Sequence, residues 1–207
     1  MAASIGAITR SKINRILADE NESRVKREIA ELERGVGKMP GELPDLWGHI
    51  FEDFPEEYMS RDGSPSKEEL AYYTALTLFA AHQRGRNTKK DPMHTEKVSL
   101  GQAMRTLAGP DTQSDAFDRI RKRFNICASA ADFQSLSVRL RGLVHYMKEE
   151  GVALDYGKLA DDLFFFQFPG SVAKVRLRWG QDFYRTPANT EAPGEEAVDD
   201  RTPLSKS

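Results

Sequence analysis

Residues 111–150 read DTQSDAFDRIRKRFNICASAADFQSLSVRLRGLVHYMKEE, and the rhythm of their apolar positions decides the fold class. Phe117, Ile120, Phe124 and Cys127 recur at steps of three and four, as do Phe133, Leu136, Leu140, Leu143, Val144 and Met147. A 3.6-residue repeat brings such positions onto one stripe, so the spacing predicts one amphipathic helix over 111–128 and another over 131–150. The same stretch carries a second signal. From Arg119 to Lys148 there are seven bases and one acid, Asp132.

Towards the C-terminus, Gly151 closes the second helix. Asp155 opens a third through Tyr156, Leu159, Leu163 and Phe166, and Pro169-Gly170 separates it from a fourth through Val172, Val175, Trp179 and Phe183. Phe164 to Phe168 suits either helix or strand by composition, and helix is favoured. Four helices with short connections predict a bundle over 109–185. Towards the N-terminus, Ser66 and Glu69 form a capping-box pattern ahead of Leu70 to His82, which is apolar on nearly every side and reads as the central helix. Ile5, Ile8, Ile13, Ile16 and Leu17, then Val25, Ile29 and Leu32, predict a helical hairpin closed by Gly35 to Gly37. Pro44 opens a short helix with Trp47 and Ile50, and Ser99 caps another that stops at Gly109-Pro110. Between them, 84–97 is polar, with Arg84, Arg86, Lys89 and Lys90, and is expected to be a mobile basic loop. The expectation is an all-α protein: an N-terminal helical domain over 1–108, a C-terminal four-helix-type bundle over 109–185, and a disordered acidic tail over 186–207.

Charged residues make up 30% of the 207 and the net charge is −2, which would disfavour a nucleic-acid ligand if charge were evenly spread. It is not. Glu42 to Glu69 holds nine acids against Arg61 and Lys67, and 1–185 alone carries 28 bases against 27 acids. The single cysteine, Cys127, forms no intramolecular disulfide and fits a reducing cytoplasm; no leader-like run precedes Arg10 and Lys12, and no stretch reaches the roughly 20 apolar residues that cross a bilayer. No membrane partner is expected.

Catalytic chemistry needs convergent groups, and the motifs that deliver them are missing: no phosphate-binding glycine loop, no nucleophile elbow, no His-Glu-x-x-His, no paired Cys-x-x-Cys. His49, His82, His94 and His145 stand apart, with His94 placed to dock the basic loop or touch a phosphate. Asp161-Asp162 and Glu149-Glu150 are adjacent acids that point to different sides of a helix. The expectation is a non-enzyme without metal or cofactor. Arg119, Lys122 and Arg123 share a helix surface at i, i+3 and i+4; Arg139 and Arg141 flank the next apolar stripe; Lys174, Arg176, Arg178 and Arg185 decorate the last helix. Packed as one bundle, these patches merge into a face fit for a phosphate backbone, since arginine forks match phosphate oxygens without reading bases. Ordinary ion pairing is the competing reading, and Arg185 in particular can pair with Asp182. Trp47, Trp179, Phe183 and Tyr184 lie on apolar stripes and read as core.

An ordered set of segments resembles the CasB family, the small subunit of the type I-E CRISPR complex Cascade. The segments are Leu32-Glu33-Arg34-Gly35 with Pro44 and Trp47; Ala75 to Gln83; Met93-His94 before Ser99-Leu100-Gly101; Arg123-Phe124; Leu140-Arg141-Gly142-Leu143-Val144; Leu154-Asp155-Tyr156; and Arg178-Trp179-Gly180-Gln181-Asp182-Phe183-Tyr184-Arg185. The match spans roughly 10–185. Glu33 stands where the family pattern often has arginine, leaving Arg34 as the basic candidate. The resemblance implies a two-part helical subunit present as a homodimer within the complex. It implies contacts with the backbone and large subunits, the guide RNA and target DNA, and a role in holding the R-loop. Nucleic-acid contacts are expected at Arg34, Arg119, Lys122, Arg123, Arg139, Arg141, Lys174, Arg176 and Arg178. The alternative is a protein scaffold whose basic face docks acidic neighbours.

Overall fold

The computed structural model describes residues 3–185, so the tail expectation for 186–207 lies outside it. The described residues form nine α-helices and no strand: α1 Ile5–Ala18, α2 Glu22–Glu33, α3 Trp47–Phe51, α4 Lys67–Gln83, α5 Leu100–Ala108, α6 Asp115–Ala128, α7 Phe133–Glu150, α8 Tyr156–Phe166 and α9 Pro169–Tyr184. Short side chains start most of them. Ser4, Asn21, Ser66, Ser99, Ser114, Asp132 and Asp155 each accept a hydrogen bond from the amide three residues on, which satisfies donors that the helix itself leaves unpaired. Gly151 ends α7 at φ +67°, a left-handed conformation that glycine takes without a Cβ penalty.

Helix α4 is the hub, buried from Ala71 to Ala80 and packed against α1, α2, α7 and α8. Helix α8 lies on α1 and α4 as well as α9, while α5 packs among α6, α7 and α9, so helices on either side of residue 108 share one hydrophobic core. Two close approaches set this arrangement. A Cβ on Gly157 would stand 2.6 Å from the Gly6 carbonyl, and one on Gly101 would strike the Trp179 carbonyl, so α1–α8 and α5–α9 meet backbone to backbone. The α1–α8 contact is polar too: Asp161 accepts from the Gly6 amide at 2.8 Å, and Arg10 pairs with buried Asp155 at 3.0 Å. Burial raises the Asp155 carboxyl, but hydrogen bonds from the Lys97 and Lys158 amides and from Arg10 outweigh it and hold the group below the usual range.

The 84–97 segment is tied to the helices around it. Gln83, wholly buried, takes the Met93 amide at 2.7 Å and donates to the Asp91 carbonyl at 3.2 Å; Arg86 pairs with Asp91 and caps the Lys148 carbonyl; Lys89 reaches the Leu17 carbonyl at 2.6 Å. Its polarity therefore serves anchoring. His94, nearly buried, accepts from the Tyr156 amide at 3.2 Å, and His82 bonds the Tyr156 hydroxyl at 2.9 Å. Burial pushes both imidazoles down, His82 to about 4.

Candidate nucleic-acid interface

Side-chain direction follows from each helix's buried stripe. On α6 the buried Phe117, Ile120, Phe124 and Cys127 turn Arg119 and Lys122 to solvent and Arg123 towards α7. Arg123 lies over the Tyr146 ring at 4.1 Å and bonds its hydroxyl, a cation–π contact that keeps the guanidinium at the surface. On α7 the buried Leu136, Leu140, Leu143, Val144 and Met147 put Arg139 and Arg141 on opposite flanks. Arg139 bonds the Ile126 carbonyl and Ser129 Oγ, at the C-terminal end of α6, where a cation meets unpaired carbonyls and the negative end of the helix dipole. Arg141 looks the other way, into a shallow cleft of about 800 Å³ shared with Glu33, Arg34, His145 and Lys148. Lys148 donates to the Ala81 carbonyl at 2.8 Å, and Arg34 pairs with exposed Asp45 at 3.2 Å.

Helix α9 treats its cations differently. Arg176 donates to the Ala130 carbonyl at 2.7 Å and sits 5.6 Å from the Phe166 ring centre. Arg178 pairs with Asp162, whose other oxygen takes the Trp179 indole N–H at 2.5 Å. Burial pushes the Asp162 carboxyl up against the pull of both donors. Arg185 pairs with Asp182 at 3.4 Å. Arg176 and Arg178 thus occupy opposite flanks of α9, one facing the α6–α7 turn and one facing α8.

The nine expected residues therefore do not form one merged face. Arg123, Arg139 and Arg176 gather at the α6–α7 seam and turn, Arg119 and Lys122 point to solvent from α6, Arg34 and Arg141 share the cleft beyond α7, and Lys174 and Arg178 lie on the far flank of α9. Among the described residues, Arg119, Lys122, Arg141 and Lys174 engage no acid or carbonyl, and all four are exposed. Lys148 and Tyr146 are not among the expected contacts. Each stands seven residues after an expected arginine of the same helix, Arg141 and Arg139 respectively, a spacing that returns to the same flank. Of the four aromatics expected in the core, Trp179 and Phe183 are buried, whereas Trp47 is 50% and Tyr184 59% exposed.

Residues 28–184 match the family of the CRISPR-associated protein Cse2. The chain belongs to the Cse2 family. Among solved structures it is similar to CasB from Thermobifida fusca, with 31% identity and a TM-score of 0.72 over 87% of this chain and 98% of that one. It also shares its fold with a Cse2-family CRISPR-associated protein from Thermus thermophilus (23% identity, TM-score 0.63, 88% and 99% of the two chains). A chain of a CRISPR RNA-guided surveillance complex has that fold too (21%, 0.64, 87% and 93%). No curated protein matches by sequence. Among the described residues of this Cse2-family chain no three metal-binding side chains converge, and no helix is long and apolar enough to cross a membrane.

Proposed function

We propose that the chain is a non-catalytic small subunit of a type I-E CRISPR surveillance complex. In this reading it binds nucleic-acid backbone without sequence specificity and stabilises the R-loop formed by guide RNA and target DNA. The observation that carries the reading is the set of unengaged cations Arg119, Lys122 and Arg141 on the α6 and α7 surfaces, in an interval with one acid. Lys and Arg that neutralise phosphates release condensed counterions, which gives affinity that is indifferent to base sequence and falls with salt. Exchange of a DNA duplex for a guide hybrid is nearly balanced, so a few backbone contacts tip it. Backbone and large subunits of the complex, and a second copy of the chain, are the protein partners in this reading, with the cytoplasm as its setting.

The test is binding of the chain to labelled DNA and RNA across a salt series, beside a variant carrying Arg119→Glu, Lys122→Glu and Arg141→Glu. Binding that falls steeply with salt and is lost in the variant supports the reading. Salt-independent binding, or equal binding by the variant, overturns it. A scaffold reading has its own support: Ile126 and Val138, 58% and 57% exposed, lie on the outer surfaces of α6 and α7 beside these cations, as at a protein contact. Under it, the same variant blocks assembly of the complex and leaves nucleic-acid binding unchanged.

A further inference from the structure

The chain leaves its described body at a definite place. Phe183, two residues before Arg185, packs its ring on Phe117 and Phe124 of α6, with 5.5 and 5.2 Å between ring centres. Residues 186–207 therefore start beside α6. They carry five acids and two bases, and 191–200 holds all five acids and no base, ending in Glu195-Glu196-Ala197-Val198-Asp199-Asp200.

Helix α6 presents the opposite charge. Arg119 and Lys122 stand three residues apart on its outer surface, both exposed, with no acid or carbonyl partner among the described residues. Asp118, the nearest acid on the helix, is occupied by Arg121. Reach decides whether the two charges meet in one molecule. Glu195 comes ten residues after Arg185, and ten residues span at most about 33–36 Å. With 14 residues, α6 is only about 21 Å long, so neither cation is out of reach. Tethering supplies an effective concentration in the millimolar range, which makes contacts too weak to join two molecules effective within one. Any acidic partner from outside has to compete with a segment that is always present.

We infer that Glu195 to Asp200 docks on Arg119 and Lys122 of the same molecule. Docking itself is independent of the nucleic-acid reading; its consequence rests on that reading. A phosphate backbone reaches these cations only by displacing the acids. A surface covered about 90% of the time loses about tenfold in apparent affinity, so the free chain holds stray nucleic acid weakly, whereas a strand presented within an assembled complex also competes at high local concentration.

The test uses the full chain and reads contact and consequence separately. A zero-length carbodiimide joins a carboxylate to a lysine amine that touches it. It should link an acid of 195–200 to Lys122 within one molecule, in preference to exposed Lys38 and Lys67. For the consequence, Glu195→Gln, Glu196→Gln, Asp199→Asn and Asp200→Asn together should raise affinity for labelled DNA about five- to tenfold. The control, Glu52→Gln, Glu56→Gln, Glu57→Gln and Glu68→Gln, changes net charge equally and should leave affinity within about twofold at about 0.1 M salt, where charges more than about 10 Å apart are largely screened. Links spread evenly over the exposed lysines, or found only between two copies, overturn the inference. No gain from the first variant, or equal gains from both, overturns the shielding, since net charge then accounts for any effect. If the Lys122 link forms and no form of the chain binds nucleic acid, docking stands and the nucleic-acid reading falls.

Discussion

Helix α9 carries three bases and the α6–α7 pair seven, and the two regions use their arginines differently. On α9, Arg176 ties down the Ala130 carbonyl and Arg178 neutralises Asp162 beneath Trp179. On α6 and α7, Arg119, Lys122 and Arg141 are held by nothing among the described residues. The difference lies in what each helix faces. Helix α9 packs against α8, which presents a buried carboxylate, and a buried charge that loses its partner is strongly destabilising. The outer sides of α6 and α7 face solvent and present no acid that needs pairing. Basic residues close in sequence therefore divide into structural and available sets according to the neighbour each helix packs against.

The largest expected effect breaks the α9 side. Trp179→Ala removes a wholly buried indole that stacks on Phe166 and leaves Asp162 with one donor fewer. It should lower stability by about 3–5 kcal/mol, the usual cost of truncating a large buried aromatic. Asp162→Ala leaves the indole N–H unpaired in the core, a cost of about 1–3 kcal/mol. Urea denaturation measures both. If either variant unfolds at the wild-type midpoint, α9 is not held as described.

Acidification should separate interior from surface. His82, on α4, is wholly buried against α8 with its Nδ1 on the Tyr156 hydroxyl. Burial opposes its charge most strongly, and Arg86 and Lys148 add to that, while a backbone bond near Met147 and the Asp91 carboxylate favour the charge more weakly. With a folded pKa of about 4 against an ordinary value of 6.5, the unfolded chain binds the proton first as pH falls. Stability is therefore full above pH 6.5 and declines between 6.5 and 4, by roughly 3 kcal/mol in all. His82→Phe should flatten that part of the profile in thermal melts at graded pH. Nucleic-acid affinity at about pH 5.5 should not fall with stability, because His82 lies in the core, away from the α6–α7 surface.

The proposed contact set can be sharpened by comparing two charge reversals. Arg119→Glu, Lys122→Glu and Arg141→Glu together should cut binding by roughly 10- to 100-fold and reduce the dependence of log affinity on log salt by about 2–3, one counterion-release contact per residue. Their effect on stability should stay within about 0.5 kcal/mol each, as for exposed positions without partners. Arg176→Glu and Arg178→Glu should do the reverse, lowering stability more than affinity. A variant pair with equal effects on both quantities would erase the distinction between the two sets.

Much of the fold is legible in periodicity and capping. The apolar stripes of α6, α7 and α9 and the serine and aspartate caps have only one sensible reading, because the 3.6-residue spacing and the cap chemistry are local, and α8 is ambiguous only at Phe164 to Phe168. What is not legible depends on partners far along the chain. Nothing in the neighbourhood of Arg178 reveals that Asp162, sixteen residues earlier, lies under it. Polarity in 84–97 looks like solvation because the carbonyls of Leu17 and Lys148 that its bases cap are remote in sequence. Trp47 reads as core from its stripe, but α3 has only five residues, too short to bury every apolar position against its neighbours. The α9 bases likewise group with those of α6 and α7 on composition, since charge composition carries no direction.

The smallest effect tests the boundary between the two sets. Arg34 sits at the mouth of the cleft that holds Arg141, but it is paired with Asp45 at 3.2 Å, and both side chains are more than half exposed. Exposed pairs of this kind contribute about 0–1 kcal/mol, so Asp45→Asn should leave the urea midpoint almost unchanged. The substitution frees the guanidinium and removes a nearby negative charge from the approach to the cleft. If Arg34 belongs with the available set, affinity for nucleic acid at low salt should rise by roughly two- to threefold, and the gain should vanish as salt screens the contact. If affinity is unchanged at low salt, Arg34 stands with Arg176 and Arg178 among the cations that serve the fold, and the available set contracts to the outer faces of α6 and α7.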